Sequence, residues 1–226
     1  MKLKLLTAAL CLSALGVAAG TASAQTLAAT KERGTVRCGV NTGLPGFGYQ
    51  KDDGEWAGLD VDYCRAIAAA IFGDGTKVTF TPLSAVQRFP ALQNNEVDVL
   101  ARNTTWTMSR DTALGLDFAG VNYYDGQGFM VREALGVNSA LQLSGATVCV
   151  QSGTTTELNL ADYFRANNLE YNPVVIESQA DVNAAYDSGR CDALTTDASG
   201  LYASRLELGN PDEHICLLYT SPSPRD

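Results

Sequence analysis

Hydrophobic residues along the chain follow two alternating spacings. Short β-branched runs predict strands, and segments with an apolar residue every three or four positions predict helices. In the first half the predicted strands are 35–40, 78–83 and 97–100, and the predicted helices are 61–72, with Cys64, Ile67 and Ile71 on one face, and 90–93, which begins at Pro90. This order of strands and helices predicts a mostly parallel sheet with helices on both faces.

A polar, tyrosine-rich stretch with two glycines at 122–128 interrupts this pattern, and a strand is predicted next at 129–131. The alternation then resumes. The second set of predicted elements consists of strands 146–150, 173–176 and 191–195 and helices 156–167, 180–188 and 199–208. The two halves therefore predict two small α/β units joined near 123–131. The gap between two such units is a usual place for a small ligand.

The first residues combine a basic start with a short apolar run. Lys2 and Lys4 precede the apolar residues 5–19, and small residues at 22–24 have the spacing of a signal-peptidase site. The apolar run is shorter than the ~20 residues that cross a bilayer. We therefore predict a signal peptide at 1–24, cleavage before Gln25 and export as a soluble protein.

Composition limits the classes of partner. The chain has 16 Lys and Arg residues against 25 Asp and Glu residues, a net charge of −9, which disfavours nucleic acid and anionic membranes as partners. Hydrophobic residues make up 46% of the chain and charged residues 18%, so the chain can form packed cores. The length beyond residue 24 allows one large domain or two small ones.

The cysteines indicate disulfides. Cys11 lies in the predicted signal peptide, and the cysteines beyond it are Cys38, Cys64, Cys149, Cys191 and Cys216. Because an exported chain meets an oxidising compartment, and because Cys38 and Cys64 share the first half while Cys149 and Cys191 share the second, we predict one disulfide within each pair. Metal ligation is the alternative. The chain has no C-x-x-C and a single histidine, so a zinc site would lack its usual ligands, and we predict neither metal nor cofactor.

Residues 151–155 lie between a predicted strand and a predicted helix and carry a glycine and two threonines. Backbone amides at a helix start attract an anion. The hydroxyls of Thr154 and Thr155 can either cap the helix or bond a ligand, and both interpretations stay open here. The segment is not a P-loop, because no Gly-Lys-Ser/Thr follows.

Residues 102–111 follow a predicted strand and contain two arginines. An arginine in a cleft matches a carboxylate with two parallel hydrogen bonds. Arg110 is the candidate for this role, with Thr105 nearby and Arg102 as the competitor. The alternative for Arg110 is a surface ion pair with Asp111 or a helix cap.

Asp192 and Asp197 flank the predicted strand 191–195. The carboxyl ends of parallel strands point into the crevice where ligands bind. We therefore predict that Asp197 holds an ammonium group and that Asp192, at the start of the strand, braces the structure. Together with Arg110 from the other unit, Asp197 supplies the pair of opposite charges that a zwitterion needs.

Several ordered motifs resemble the amino-acid-binding members of the family 3 solute-binding proteins. These motifs are GLDVD at 58–62 leading into YCRAIA at 63–68, LPGF at 44–47, RNTTWT at 102–107 and GRCDA at 189–193. The similarity runs from about Gly34 to His214. It implies a two-lobed type II periplasmic binding protein fold of class α/β, with lobe 1 at 25–128 and lobe 2 at 129–214. It also implies a periplasmic protein that binds free L-amino acids and delivers them to the permease subunits of an ABC transporter.

The resemblance implies a set of residues for the α-carboxylate of the ligand. By the pattern of the family, Arg110 grips the carboxylate. The backbone amides at Thr105 and Thr155 and the hydroxyl of Thr154 assist it.

The resemblance also implies the rest of the ligand site. Asp197 takes the α-ammonium, with the Thr105 hydroxyl and the Asn103 carbonyl beside it, and Phe47 lines the side-chain pocket. An aromatic residue that narrow-specificity relatives carry corresponds here to Ala85. A pocket without that wall would be roomier, which implies broad specificity.

The resemblance stops short of the end of the chain. Relatives return to the first lobe after the second, whereas this chain ends where that return begins, so the fold is expected to be incomplete at the C-terminus. Residues 215–226 carry no helix cap and no amphipathic period. We predict that they are an aberrant tail of non-native sequence, with a natural disordered tail as the alternative, and that the chain is less stable than a completed one.

Two other functions are alternatives to binding. An exported dehydratase acting on a cyclic amino-acid precursor would need an acid or base with a shifted pKa in the cleft. An amino-acid sensor would need a signalling partner. Since the chain has no G-x-S-x-G motif and its one histidine lies at 214, we predict a binding protein and not an enzyme. We also predict that the protein is a monomer.

Overall fold

The computed structural model describes residues 22–218. The predicted signal peptide lies outside the described residues except for positions 22–24, as do positions 219–226 of the predicted tail. The strands are β1 (Val36–Val40), β2 (Tyr49–Gln50), β3 (Trp56–Ala57), β4 (Val78–Pro82), β5 (Val99–Leu100), β6 (Gln127–Arg132), β7 (Thr147–Gln151), β8 (Asn172–Ile176), β9 (Ala193–Asp197) and β10 (His214–Leu218). The α-helices are α1 (Ala22–Arg33), α2 (Leu59–Phe72), α3 (Arg88–Gln93), α4 (Met108–Thr112), α5 (Thr155–Ala166), α6 (Gln179–Asp187) and α7 (Ala198–Arg205).

Lobe 1 contains a parallel sheet of order β4-β1-β5, as the sequence predicts. Helix α2 packs on it through Val61, Cys64 and Ala68, because the disulfide between Cys64 and Cys38 of β1 holds that side of the helix against the sheet. Ile67 and Ile71 lie at the margin of this face and are half-buried, so the buried stripe is shifted from the predicted one.

Lobe 2 contains a five-stranded sheet of order β10-β6-β9-β7-β8. Strand β7 runs parallel to β8 and β9, whereas β6 runs antiparallel to both β9 and β10. The parallel sheet predicted for the first half is therefore found in lobe 1, whereas the sheet of lobe 2 is mixed. The reason is that β6 enters lobe 2 from the connecting segment and not through a helical crossover, which parallel neighbours require.

The core of lobe 2 lies on both faces of its sheet. Alternate residues of each strand point to opposite faces, so Phe129 joins one apolar cluster and Met130 the other. Helix α5 covers the first cluster, and helices α6 and α7 cover the second. Burial of whole side chains such as these contributes about 1.5–3 kcal/mol each.

Both predicted disulfides are confirmed. Cys38 is bonded to Cys64, and Cys149 is bonded to Cys191, with Cα–Cα distances of 6.1 and 5.7 Å. Cys216 is a free thiol and is partly buried. The second disulfide ties the middle of β7 to the turn before β9, which are neighbours in the sheet.

The segment 215–218, at the start of the predicted tail, is paired in a sheet. It belongs to β10, which pairs with β6 from His214 opposite Arg132 to Leu218 opposite Gly128. Ile215 packs with one cluster of lobe 2 and Cys216 with the other, which is the two-residue period of a strand rather than that of a helix. Strand β10 thus runs past position 214, and β6 begins at Gln127, before the predicted 129.

Within residues 22–218, every helix is too short or too polar to cross a membrane. In the same part of the chain, acidic, histidine and cysteine side chains form no group of three that could hold a metal ion.

Candidate functional site

A cavity of about 370 Å³ lies between the two lobes. Lobe 1 contributes the loop after β1, the first turn of α2 and the segment that follows β5, and lobe 2 contributes the start of α5 and the end of β9. The lining residues are Phe47, Asp60, Arg102, Asn103, Thr104, Thr105, Trp106, Phe118, Gly120, Val121, Asn122, Tyr123, Asp125, Gly126, Gln127, Thr155, Thr156, Asn159 and Asp197. Of the predicted site residues, Phe47, Asn103, Thr105, Thr155 and Asp197 line this cavity, whereas Arg110 and Thr154 do not.

The two lobes touch each other beside this cavity. The hydroxyls of Thr105 and Thr155 are 2.9 Å apart and share a hydrogen bond. Gly153 has a φ of +70°, and a Cβ atom there would lie 2.8 Å from the Cγ1 atom of Val86 in the opposite lobe. Position 153 therefore requires glycine for its backbone conformation and for the close approach of the lobes.

Asp197 ends β9 and occupies the N-cap position of α7, but its side chain makes no capping hydrogen bond. Asp125 takes over this task, because its carboxylate accepts hydrogen bonds from the backbone N–H of Ser199, at 3.3 Å, and from the Ser199 hydroxyl. The Asp197 carboxylate is consequently left available at the cavity wall. Sequence analysis missed Asp125, whose only signal is its place in the polar stretch before β6.

The environment of Asp197 disfavours its charged form. Burial and, second to it, the neighbouring Asp125 carboxylate raise the pKa of Asp197 to about 6. Arg88, Arg110 and a hydrogen bond with the Asn103 side chain act in the opposite direction. A buried carboxylate of this kind gains stability when a cationic group enters beside it.

Arg110 lies in α4 and is only 7% exposed, so the predicted alternative of a surface ion pair is wrong. Its Nη1 atom donates a hydrogen bond to the Thr105 carbonyl at 2.8 Å, and its guanidinium group lies 5.0 Å from the centre of the Phe89 ring. Burial lowers the pKa of Arg110, and the Asp197 carboxylate opposes this shift. These contacts hold the guanidinium group just behind the cavity wall.

Arg102 lines the cavity, but its side chain braces the backbone. Its Nη1 atom donates to the Leu83 carbonyl at 2.7 Å, and its Nη2 atom donates to Oδ1 of Asn103 at 2.9 Å. Burial lowers the pKa of Arg102 to about 10, and the Asp60 carboxylate opposes the shift. With both terminal nitrogens bonded to protein oxygens, Arg102 is less suited than Arg110 to grip a ligand carboxylate.

Arg88 is a third arginine, which sequence analysis missed. It begins α3, two residues before the predicted start at Pro90, and its side chain is 2% exposed. The side chain donates hydrogen bonds to the carbonyls of Asn103, at 3.1 Å, and of Gly153, at 3.4 Å. Its only signal in the sequence is a charged residue at the edge of an apolar segment.

Thr154 is the N-cap of α5. Its hydroxyl accepts a hydrogen bond from the Glu157 N–H at 3.1 Å and donates one to the Gln151 carbonyl at 2.7 Å. Of the two interpretations of this hydroxyl, the structure therefore favours helix capping, since donation to a ligand carboxylate would need the one proton that now bonds the Gln151 carbonyl. Thr155 and Thr156, in the first turn of α5, line the cavity in its place.

Asn103 is more tightly bonded than the sequence indicates. Its carbonyl, predicted to face an ammonium group, accepts the hydrogen bond from Arg88. Its Oδ1 atom accepts a hydrogen bond from Nδ2 of Asn41 at 2.8 Å. Asn103 thus connects β1 and the arginines to Asp197 of lobe 2.

Aromatic residues form the apolar part of the wall. Phe47 packs edge-to-face on Tyr123, with ring centres 5.1 Å apart, and Trp106 stacks on Phe118 at 5.3 Å. Ala85 is buried outside the cavity lining, so the space expected from its small side chain is not part of this cavity.

Two further polar residues of the wall were missed from the sequence. Asp60, in the first turn of α2, is buried and accepts a hydrogen bond from Asn122 at 3.2 Å, and burial raises its pKa. Gln127 donates hydrogen bonds to the Thr156 carbonyl and the Thr195 hydroxyl, at 3.1 and 3.0 Å. Asp60 lies in the GLDVD motif, which was the signal that could have identified it.

Comparison with known proteins gives consistent relatives. The chain is 65% identical, over 96% of its length, to the general L-amino acid-binding periplasmic protein AapJ of Rhizobium johnstonii, of which it covers 64%. It is 55% identical, over 88% of its length, to the glutamate/glutamine/aspartate/asparagine-binding protein BztA of Rhodobacter capsulatus, of which it covers 59%.

Among solved structures, the chain is similar to an ABC transporter periplasmic binding protein from Brucella ovis with glutathione bound. The TM-score is 0.83 and the sequence identity 68%, over 86% of this chain and 61% of that one. The chain therefore spans less than two thirds of the length of each of these relatives.

The model of the bacterial extracellular solute-binding proteins, family 3, matches residues 36–171, which is more than half of the chain. That range includes β1 to β7 and α2 to α5, with most of the cavity wall. The fold is also similar to that of the cysteine-binding protein from Campylobacter jejuni, with a TM-score of 0.74 and 29% sequence identity over 84% of this chain and 73% of that one. On this evidence the chain belongs to family 3 of the bacterial extracellular solute-binding proteins.

Proposed function

We propose that this protein binds a free L-amino acid between its lobes in the periplasm and delivers it to the permease of an ABC transporter. The observation that carries the proposal is the Asp197 carboxylate, which occupies a helix N-cap position without capping the helix and lines the cavity instead. A carboxylate relieved of its structural task by Asp125 is suited to hold the ammonium group of a ligand.

The carboxylate end of the ligand would lie at the start of α5. The first turn of a helix presents unpaired backbone N–H groups and a partial positive charge, both of which favour an anion. Thr155 and Thr156 of this turn line the cavity, and Arg110 lies behind the neighbouring wall at Thr105. In this proposal Arg110 turns its free guanidinium edge to the ligand while its Nη1 atom stays bonded to Thr105.

The side chain of the ligand would face the aromatic wall, for which we propose broad specificity. Phe47 and Trp106 supply apolar surface, and Gln127 supplies a polar group on the lobe 2 side. The printed names of AapJ and BztA describe binding of several amino acids by those relatives. Glutathione, bound in the Brucella ovis protein, carries an α-amino acid head at its glutamyl end, which the same two charges would recognise.

Isothermal titration of the purified protein with a panel of L-amino acids and with glutathione tests this proposal. We expect saturable binding of several amino acids, and a loss of affinity of about 30-fold or more in Arg110→Ala and in Asp197→Asn, since each removes a charged partner of a buried ligand group. Asp192→Asn is the control, because it makes the same charge change at the exposed start of the same strand segment. A folded protein that binds no amino acid contradicts the proposal, and binding of glutathione alone redirects it to peptides.

The proposal includes release of an unchanged ligand by a monomer. Incubation of the protein with a bound amino acid, followed by NMR of the ligand, should show no product, and appearance of one would favour the enzyme alternative.

Sedimentation at several protein concentrations should give one monomeric species. Crosslinking in membranes that carry the cognate permease would test the transport partner, and export would be tested by recovery of the protein from the periplasmic fraction.

A further inference from the structure

Arg88 is a deeply buried charged residue of the cleft region. It is 2% exposed, yet the salt bridges found among residues 22–218 do not include it. A buried charge without an ionic partner is unfavourable unless its donors are bonded. Its terminal nitrogens are bonded, but to two backbone carbonyls and not to a carboxylate.

These two carbonyls belong to different lobes. Asn103 follows β5 in lobe 1, and Gly153 lies between β7 and α5 in lobe 2. Arg88 itself lies in lobe 1, so its bond to Gly153 exists only while the lobes are in contact. The same contact places Val86 beside Gly153, where no side chain fits.

Arg88 is also tied to the predicted carboxylate-binding arginine. Both guanidinium groups contact the Phe89 ring, with the Arg88 guanidinium carbon 4.7 Å and the Arg110 guanidinium carbon 5.0 Å from its centre. A movement of Arg88 when the lobes separate would therefore disturb the face on which Arg110 rests. Asp197 attracts both guanidinium groups from the other lobe.

We infer that Arg88 is a positioning residue that bonds the two lobes together in the closed arrangement and thereby slows release of the ligand. The residue acts through Asn103 and Gly153 and lies outside the cavity lining. Loss of hydrogen bonds from a charged donor should make opening easier, while the approach of the ligand to the open cleft should change little. This inference rests on the proposed function only for its kinetic test.

The kinetic test uses Arg88→Met, Arg88→Lys and a matched control. In Arg65→Met the lost guanidinium also bonds a backbone carbonyl, that of Trp56, and also lies over an aromatic ring, that of Phe80, but all these groups belong to lobe 1. We expect stopped-flow measurements to show a dissociation rate constant about tenfold higher in Arg88→Met, with an association rate constant within about twofold of the original. Arg88→Lys, which keeps the charge but not the two-pronged geometry, should show a smaller increase, and Arg65→Met should show none.

A second test needs no ligand. Trp106 lines the cavity between the lobes, and the chain has only one other tryptophan, Trp56, in lobe 1. In protein labelled with 5-fluorotryptophan, the ¹⁹F signal of Trp106, assigned with Trp106→Phe, should shift toward that of an open cleft in Arg88→Met and not in Arg65→Met. If the unmodified protein binds no amino acid, the proposed function fails, but this comparison still decides the role of Arg88.

Unchanged dissociation kinetics together with an unchanged Trp106 signal in Arg88→Met would overturn the inference. If Arg88→Met does not fold, the same two measurements on Arg88→Lys decide, and values equal to those of Arg65→Met would overturn it. Equal changes in association and dissociation would also overturn it, because they indicate general damage to the site.

Discussion

Replacement of Asp197 by asparagine should stabilise the fold while it weakens ligand binding. The carboxylate is partly buried, and this burial, together with the neighbouring Asp125 carboxylate, raises its pKa to about 6 from an ordinary value of 3.8. Asparagine has nearly the same shape but no charge, so the variant avoids the unfavourable burial of an anion. The gain in stability and the loss of affinity would have the same origin.

The size of the effect follows from the pKa. A difference of about 2 units corresponds to about 3 kcal/mol at about 1.4 kcal/mol per unit. Because folding raises the pKa, the folded state binds this proton more tightly than the unfolded chain does, and the stability of the protein falls as the pH rises from about 4 through about 6. The advantage of Asp197→Asn should thus be under about 1 kcal/mol at pH 4 and reach about 3 kcal/mol above pH 7.

Urea unfolding at several pH values between 4 and 7.5, followed by circular dichroism, measures this difference without ligand. Asp192→Asn is the matched control, since it removes one negative charge at the exposed side of the same lobe, where an asparagine oxygen can still accept the Thr147 N–H. A stability difference for Asp197→Asn that does not widen with pH would refute the reasoning. A difference that widens equally in Asp192→Asn would show that net charge and not the cleft is responsible.

Three further changes test other parts of the structure. Gly153→Ala should weaken ligand binding through a collision with Val86 and a positive φ, and titration calorimetry would reveal wild-type affinity if the lobes do not need this approach. Asp125→Ala should lower the free energy of unfolding by about 1 kcal/mol through loss of the cap of α7, which a thermal melt would measure. It should also lower ligand affinity because Asp197 becomes free to cap the helix, and an unchanged affinity in titration calorimetry would contradict this second part. Cys149→Ser should destabilise lobe 2 by about 3–4 kcal/mol in the entropic treatment of its 42-residue loop, a value that urea unfolding with and without reductant would check.

The elements that the sequence predicted best are those whose signal is local. Helix α5, predicted at 156–167, spans Thr155–Ala166, and helix α6, predicted at 180–188, spans Gln179–Asp187. Both have an apolar stripe of helical spacing and a Thr or Ser cap directly before it. Strands β2 and β3 were missed, because each has only two residues and a two-residue period cannot be seen in so short a segment.

Other features depend on partners far away in the chain. Strand β10 was not predicted, because five residues carry little pattern by themselves, and it is held by its pairing with β6 more than 80 residues earlier. Likewise, the sequence placed Arg110 before Arg102 as the candidate for the ligand carboxylate but gave no sign of the role of Arg88. Their roles differ only because one bonds across the lobes, one braces the backbone and one rests on Phe89 beside the cavity.

The sequence by itself determined the α/β class, the two units, both disulfide pairs and the charged residues at the ends of the strands, because periodicity, compartment and chain direction act locally or through simple spacing. Only the tertiary structure decided which polar groups remain available to a ligand. Thr154 and Asp197 both stand at helix N-caps, yet the first caps its helix and the second does not, because Asp125 from a distant segment reaches Ser199 first. A polar group can bind a ligand only where other protein groups do not already use its hydrogen bonds, and those bonds exist only in the folded chain.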